Sequence, residues 1–225
     1  MERDIDMAEV SDGRFYGLRD MVKADCGGCR GCSLCCESMG DTIVLDPYDV
    51  WRLTDGLGLP FDSLLEDKLE LNVFEGIILP NIKTGGSDGR CGFLDAQGRC
   101  SIHSLRPGLC RIFPLGRYYE DRAFRYFLQI HECPKEPKTK VKVQKWIDTP
   151  DVRRNEHFII DWHYFLKDLT AKINTAIAEG SESFQKTADL YVLQTFYRKP
   201  WDKEADFYTQ FGVRLAGAKE VLGIA

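Results

Sequence analysis

The sequence predicts an α+β chain: a loop-rich cysteine-cluster module with short β-hairpins and small helices over residues 1–145, then a C-terminal helical segment over 146–225. Three observations carry that expectation. Five of the nine cysteines, Cys26, Cys29, Cys32, Cys35 and Cys36, fall within eleven consecutive positions as C-x2-C-x2-C-x2-C-C. Residues 71–130 alternate short β-leaning apolar runs with turn residues. Beyond residue 146 the apolar residues recur every three or four positions, the period of one helix face.

Residues 1–25 show little pattern and are expected to lie over the surface. In the cysteine run, Gly27, Gly28 and Gly31 tolerate positive φ and let backbone amides approach a metal centre. Residues 42–45 read as a short strand. Asp46-Pro47 starts a helix, because the carboxylate accepts from first-turn N–H groups and proline is already set to helical φ. That helix is expected to stop near Gly56, with a second short one over 61–69. Residues 74–82 lean towards strand. The loop 83–90, with Gly85, Gly86 and Gly89, lacks the phosphate-binding G-x-x-x-x-G-K-[ST] pattern. Residues 91–94 and 99–103 read as a hairpin about Asp95-Ala-Gln-Gly98, and 115–119 pairs with 123–130 about Glu120-Asp121-Arg122. Lys135, Lys138, Lys140, Lys142 and Lys145 read as a solvated linker rather than a docking patch.

Thr149-Pro150-Asp151 is a helix start. Phe158, Trp162, Phe165, Leu169, Ile173 and Ile177 then form one apolar stripe ending at Gly180, a C′ glycine. A second helix is expected over 182–197, stopped by Pro200, and a third from about Lys203 with Phe207, Phe211, Leu215, Ala218 and Leu222 on one face. Such stripes pack a core rather than hold a cofactor.

Composition narrows the function. With 44% hydrophobic and 29% charged residues the chain is ordinary for a globular protein of one or two domains. No stretch reaches the ~18 apolar residues of a membrane span, and a net charge of −5 speaks against nucleic acid as partner. Residues 1–12 are charged and lack the apolar segment of a secretion signal, so a cytoplasmic location is expected. A reducing compartment, and an odd cysteine count of nine, disfavour a disulfide framework. No Ser/His/Asp order or H-E-x-x-H pattern stands out, so no catalytic residue is assigned.

The cysteine run therefore points to a metal. Structural zinc sites take two C-x2-C (or Cys/His) pairs separated by a longer loop. Overlapping x2 intervals are closer to the segment that grips three irons of a 4Fe–4S cubane and draws its fourth ligand from elsewhere, often a Cys followed by Pro. Cys133-Pro134 has that form. Adjacent side chains of extended chain point to opposite sides, so Cys35 and Cys36 are expected to serve two centres or two irons, a strained vicinal disulfide being the alternative. Arg106 and Arg111 either neutralise a thiolate cluster or bond nearby carbonyls and carboxylates. His103 and His131 lie near cluster cysteines and could each replace a thiolate, but an unliganded surface or core histidine is the expected reading for both.

These residues resemble a known family. Cys29-x2-Cys32-x2-Cys35-Cys36 is similar to the signature of the CxxCxxCC cysteine-cluster proteins, which are associated with zinc or iron chelation. Cys91-Gly-Phe-Leu, Cys100-Ser-Ile-His103, Arg106-Pro107-Gly-Leu-Cys110-Arg111-Ile-Phe113-Pro114 and Cys133-Pro134 resemble its later motifs in the same order, over about residues 26–134. The resemblance implies eight ligands, Cys29, Cys32, Cys35, Cys36, Cys91, Cys100, Cys110 and Cys133, a complete set for two four-thiolate sites. Cys26 stands outside it, and its replacement is expected to leave bound metal nearly unchanged. The expected function is metal-cluster binding with one or two iron–sulfur cubanes, in electron transfer as an accessory subunit with a protein redox partner. A zinc-stabilised interaction module is one alternative. Protein lysine N-methylation is the other, because the family includes flagellin lysine N-methylases. The chain lacks the glycine-rich strand-to-helix segment by which common methyltransferases bind S-adenosylmethionine.

Overall fold

Helices and four small antiparallel sheets make up the described residues of this α+β chain. The computed structural model describes residues 6–27, 32–37, 42–85 and 89–224. Cys29, Gly28, Gly31 and Gly86 lie outside these residues. The chain folds as two compact units, each built from two stretches: Glu2–Ile43 with Thr84–Asn155, called the cysteine unit below, and Val44–Lys83 with Glu156–Ala225, the helical unit. Residues 44–83, grouped with the cysteines in the sequence reading, share a unit with the later helices.

The cysteine unit opens with one helical turn, α1 (Met7–Val10), followed by strands β1 (Ser11–Tyr16) and β2 (Met21–Asp25). The expectation of patternless surface chain is corrected here: Tyr16, Val22 and Ala24 are core residues. Val22 and Ala24 point inward while Met21 and Lys23 face water, a period of two that the partner strand makes worth burying.

The helical unit takes up the chain at α2 (Pro47–Leu57) and α3 (Phe61–Asp67), which lead into a hairpin of β3 (Leu69–Phe74) and β4 (Ile77–Ile82). Asp46 caps α2 as its side chain predicts: its Oδ1 accepts from Asp49 N at 2.8 Å, and the Asp49 side chain accepts from Asp46 N. The helix stops at Gly58, which adopts φ +65°. Glu75 and Gly76 both take positive φ, the two-residue turn whose twist suits a hairpin. Residues 42–45 do not form a strand; Val44 makes a single bridge to Asn81.

Back in the cysteine unit run β5 (Thr84–Gly85), β6 (Arg90–Cys91), α4 (Gly108–Ile112), β7 (Leu115–Glu120), β8 (Ala123–Gln129), β9 (Thr139–Lys142) and α5 (Val143–Ile147). The predicted hairpin is β7–β8, turning at Asp121 and Arg122, and β1 adds to its other edge to give the order β1-β8-β7. The supposed lysine linker is a strand: β9 pairs antiparallel with β2, keeping Lys140 and Lys142 exposed and Val143 fully buried. A core of Tyr16, Val22, Ile112, Leu115, Tyr126 and Ile147, with neighbours, joins these pieces.

The chain ends in α6 (Val152–Ala178), α7 (Ser183–Val192), a π-helical turn Leu193–Arg198, and α8 (Phe207–Leu222). Phe158, Trp162, Phe165, Leu169 and Ile173 are buried as their spacing predicts, whereas Ile177 is exposed near the helix end. Gly180 adopts φ +83° and receives the helix end through its N–H to Ile177 O. The third helix starts later than Lys203, at Phe207, because Asp206 supplies the cap through Thr209 N. The whole predicted face of α8 is buried. Among the described residues no helix is long and apolar enough to cross a membrane.

Candidate metal centre

Cys26 directly follows β2. Gly27, at φ +82°, turns the chain beyond it, and its N–H is held by Asp25 Oδ1 at 2.9 Å. Cys32 precedes a 3-10 turn, Leu34–Cys36, closed by Cys36 N to Ser33 O at 2.7 Å. In this turn the Cys35 and Cys36 side chains do not diverge as they would in a strand; their Sγ atoms stand 3.8 Å apart, too far for a disulfide. Glu37 ties the run to the strand that carries Cys91, through an ion pair to Arg90 at 3.3 Å.

The later cysteines sit on short elements. Cys91 ends β6 opposite Thr84. Cys100 bridges to Leu94 across the turn closed by Gly98 N to Asp95 O at 2.9 Å, so the predicted 91–103 hairpin is reduced to one bridge and a turn. Cys110 lies in α4, and Cys133 follows β8, its carbonyl accepting from Lys138 Nζ at 2.6 Å. All eight described cysteines are free thiols.

One cleft brings four of them together. Cys26, Cys32, Cys35 and Cys133 line a space of about 30 Å³, with Leu34, Phe113, Pro114 and Trp146 as apolar wall. The Trp146 indole N–H anchors that wall to the carbonyls of Ile112 and Phe113, at 3.2 and 3.1 Å. Cys36 feels a second group: its thiol is pushed up by its hydrogen bond with Cys35, by burial, and by the charges of Cys35, Cys91 and Cys110. Cys35 is lowered to about 7 by the same bond, with the Arg106 guanidinium acting in the same direction. Burial raises Cys100 and Cys133, and Arg106 opposes the rise at Cys100.

The two arginines of the Cys110 motif divide their roles. Arg111 is buried and donates to three carbonyls: Arg106 O at 2.9 Å, Asp148 O at 2.7 Å and Ser104 O at 2.5 Å. It braces the loops around α4. Arg106 donates to His103 O at 3.1 Å and is the cation that stabilises thiolate at Cys35 and Cys100. His103 is held below the ordinary imidazole range by burial, then by Arg106 and Arg111.

Eight soft sulfur donors in one unit suit zinc or iron–sulfur chemistry. Among the described residues no three Cys, His, Asp or Glu side chains converge on one point closely enough to hold a single metal ion. Of the sequence-expected ligands, Cys32, Cys35 and Cys133 share the cleft, Cys36 stands 3.8 Å from Cys35 sulfur to sulfur, Cys91, Cys100 and Cys110 lie on the later short elements of the same unit, and Cys29 lies outside the described residues. The sequence reading missed the cleft's apolar wall and the position of Cys26 in it. The x2 rhythm, which Cys26 continues, was the available signal.

Comparison with curated proteins and with solved structures returns no match. A family profile does match residues 28–143, just over half of the chain: CxxCxxCC, described as a "putative zinc- or iron-chelating domain". That stretch spans every cysteine of the sequence except Cys26. With the thiols gathered in one unit and the motifs in the family's order, the chain belongs to the CxxCxxCC family.

Proposed function

We propose that this chain binds one or two iron–sulfur clusters of cubane type and serves as an electron-transfer subunit, in the cytoplasm, for a protein redox partner. The observation that carries the reading is the meeting of Cys26, Cys32 and Cys35 of the run with the distal Cys133-Pro134 in one apolar cleft. A cubane supplies one-electron acceptance at a site where the protein contributes thiolates, hydrogen bonds and dielectric. Here the chain supplies cysteines from separate segments, a wall of Phe113, Pro114 and Trp146 that limits water, and Arg106 to offset thiolate charge. Arg111 braces the turn that carries Arg106, next to the helix that holds Cys110.

A zinc-stabilised module is the second reading, and one distance favours it. With Zn–S bonds of about 2.3 Å, two thiolates on a tetrahedral zinc lie roughly 3.8 Å apart, the Cys35–Cys36 separation of 3.8 Å. Purification without oxygen followed by iron, zinc and acid-labile sulfide analysis separates the two. The iron–sulfur reading expects a brown protein with about four or eight irons per chain, matched by sulfide, whose visible absorption bleaches on reduction. A colourless protein carrying zinc and no sulfide would sink the electron-transfer role.

A further inference from the structure

We propose that Cys26, outside the family-matched stretch, is a metal ligand that shares one centre with Cys32, Cys35 and Cys133. This rests on the metal-binding reading above and adds to it a donor that neither the family match nor the eight-cysteine set includes.

The geometry comes from strand pairing. β2 and β9 run antiparallel with Asp25 opposite Thr139, and Thr139 Oγ1 reaches Asp25 O at 3.5 Å. The residue after β2 is Cys26; just before β9, Lys138 holds the Cys133 carbonyl. One sheet edge therefore places Cys26 near Cys133, and both line the same cleft. Cys26 is only 8% exposed. A buried cysteine can be a small hydrophobe, but Cys26 lines a cleft in which three other thiols stand beside the apolar wall. Among the described residues it is also the one run cysteine that directly follows a β-strand, which ties it to the β2–β9 pairing.

The test counts metal in the full-length chain purified without oxygen, comparing wild type with Cys26→Ser, Cys133→Ser, the double variant Cys26→Ser/Cys133→Ser, and Cys26→Ser/Cys110→Ser. Cys26→Ser is expected to lose as much metal as Cys133→Ser. Their combination should lose no more than either, since ligands of one centre are not additive, while adding Cys110→Ser should lose more. Far-UV circular dichroism checks folding of each variant. Wild-type metal content in Cys26→Ser, alongside loss in Cys133→Ser, overturns the assignment and leaves metal binding intact. A wild type without metal overturns both. Should Cys26→Ser not fold, alkylation of the native chain by iodoacetamide, mapped by mass spectrometry, decides the matter. Labelling of Cys26 should rise at least tenfold after chelator treatment, in step with Cys133; equal rates before and after stripping overturn the assignment.

Discussion

Arg111 and Asp189 show how single polar side chains hold each unit. Arg111 shares one guanidinium among three carbonyls from residues 104, 106 and 148, a fork that a lysine ammonium cannot reproduce. Arg111→Lys should therefore cost about 1–2 kcal/mol, because part-buried hydrogen bonds from a charged donor are lost. Urea unfolding followed by tryptophan fluorescence reads the loss, and wild-type stability in the lysine variant would refute it. Asp189 is the buried counterpart in the helical unit: its Oδ1 accepts from Ile78 N at 3.0 Å, and burial raises its carboxyl above the ordinary range while that N–H opposes the rise. A folded-state value above the unfolded one means that the folded state holds its proton longer. Stability should accordingly fall as pH rises from about 4, the unfolded value, through the raised folded value. Asp189→Asn keeps an acceptor for Ile78 and removes the titration. The difference in unfolding free energy between variant and wild type should shift in the variant's favour across that window, then level off. A difference independent of pH would show that Asp189 does not titrate as its burial implies.

At the scale of elements, helices announced themselves and isolated strands did not. The α6 stripe is long enough for its period to stand out, and its prediction carries a cost. Trp162 lies 4.9 Å from Phe196 and 5.6 Å from Phe165, ring centre to ring centre, so Trp162→Ala should destabilise the helical unit by about 3–5 kcal/mol. A melting temperature within a degree or two of wild type would count against that packing. The β7–β8 hairpin was equally readable, since both strands and the turn at Asp121-Arg122 are contiguous in the chain. β1 joins that hairpin from more than a hundred residues away, with a register shift between Ser11 and Phe15, and no local pattern encodes such a partner. β2 and β9 failed for a related reason. Each shows alternation over four or five residues only, and in β9 the exposed lysines outweigh the single valine, Val141, in any compositional reading. The cysteine run shows the limit from the other side. Its spacing marked a metal, but the 3-10 turn that brings the Cys35 and Cys36 sulfurs to 3.8 Å reverses the divergence expected of neighbouring side chains.

At the scale of the molecule, the two units differ in what stands behind their order. The helical unit has an aromatic core in which Tyr48, Phe158, Phe207 and Phe211 pack ring against ring at 4.6 to 6.2 Å. Its hairpin is fastened by side chains of the helices: Thr170 to Glu75 O at 3.0 Å and Gln185 to Gly76 O at 2.8 Å. This is why residues 44–83 belong with the later helices, a link that sequence order conceals. The cysteine unit rests on a smaller core, and among the described residues its segments from Cys26 to Cys36 and from Cys91 to Cys110 carry short elements of two to five residues. Such segments bury too little apolar surface to be fixed by packing alone. If thiolate–metal bonds fix them, binding and folding are one equilibrium. Chelator treatment should then speed amide exchange at least tenfold, about 1.4 kcal/mol, across residues 89–113 and 130–138 of the cysteine unit. Exchange within 156–222 of the helical unit should stay as it was, since its core contains no cysteine. Equal protection of residues 89–113 before and after stripping would mean that the loops are held by the protein alone, and that metal is a passenger in a site already built.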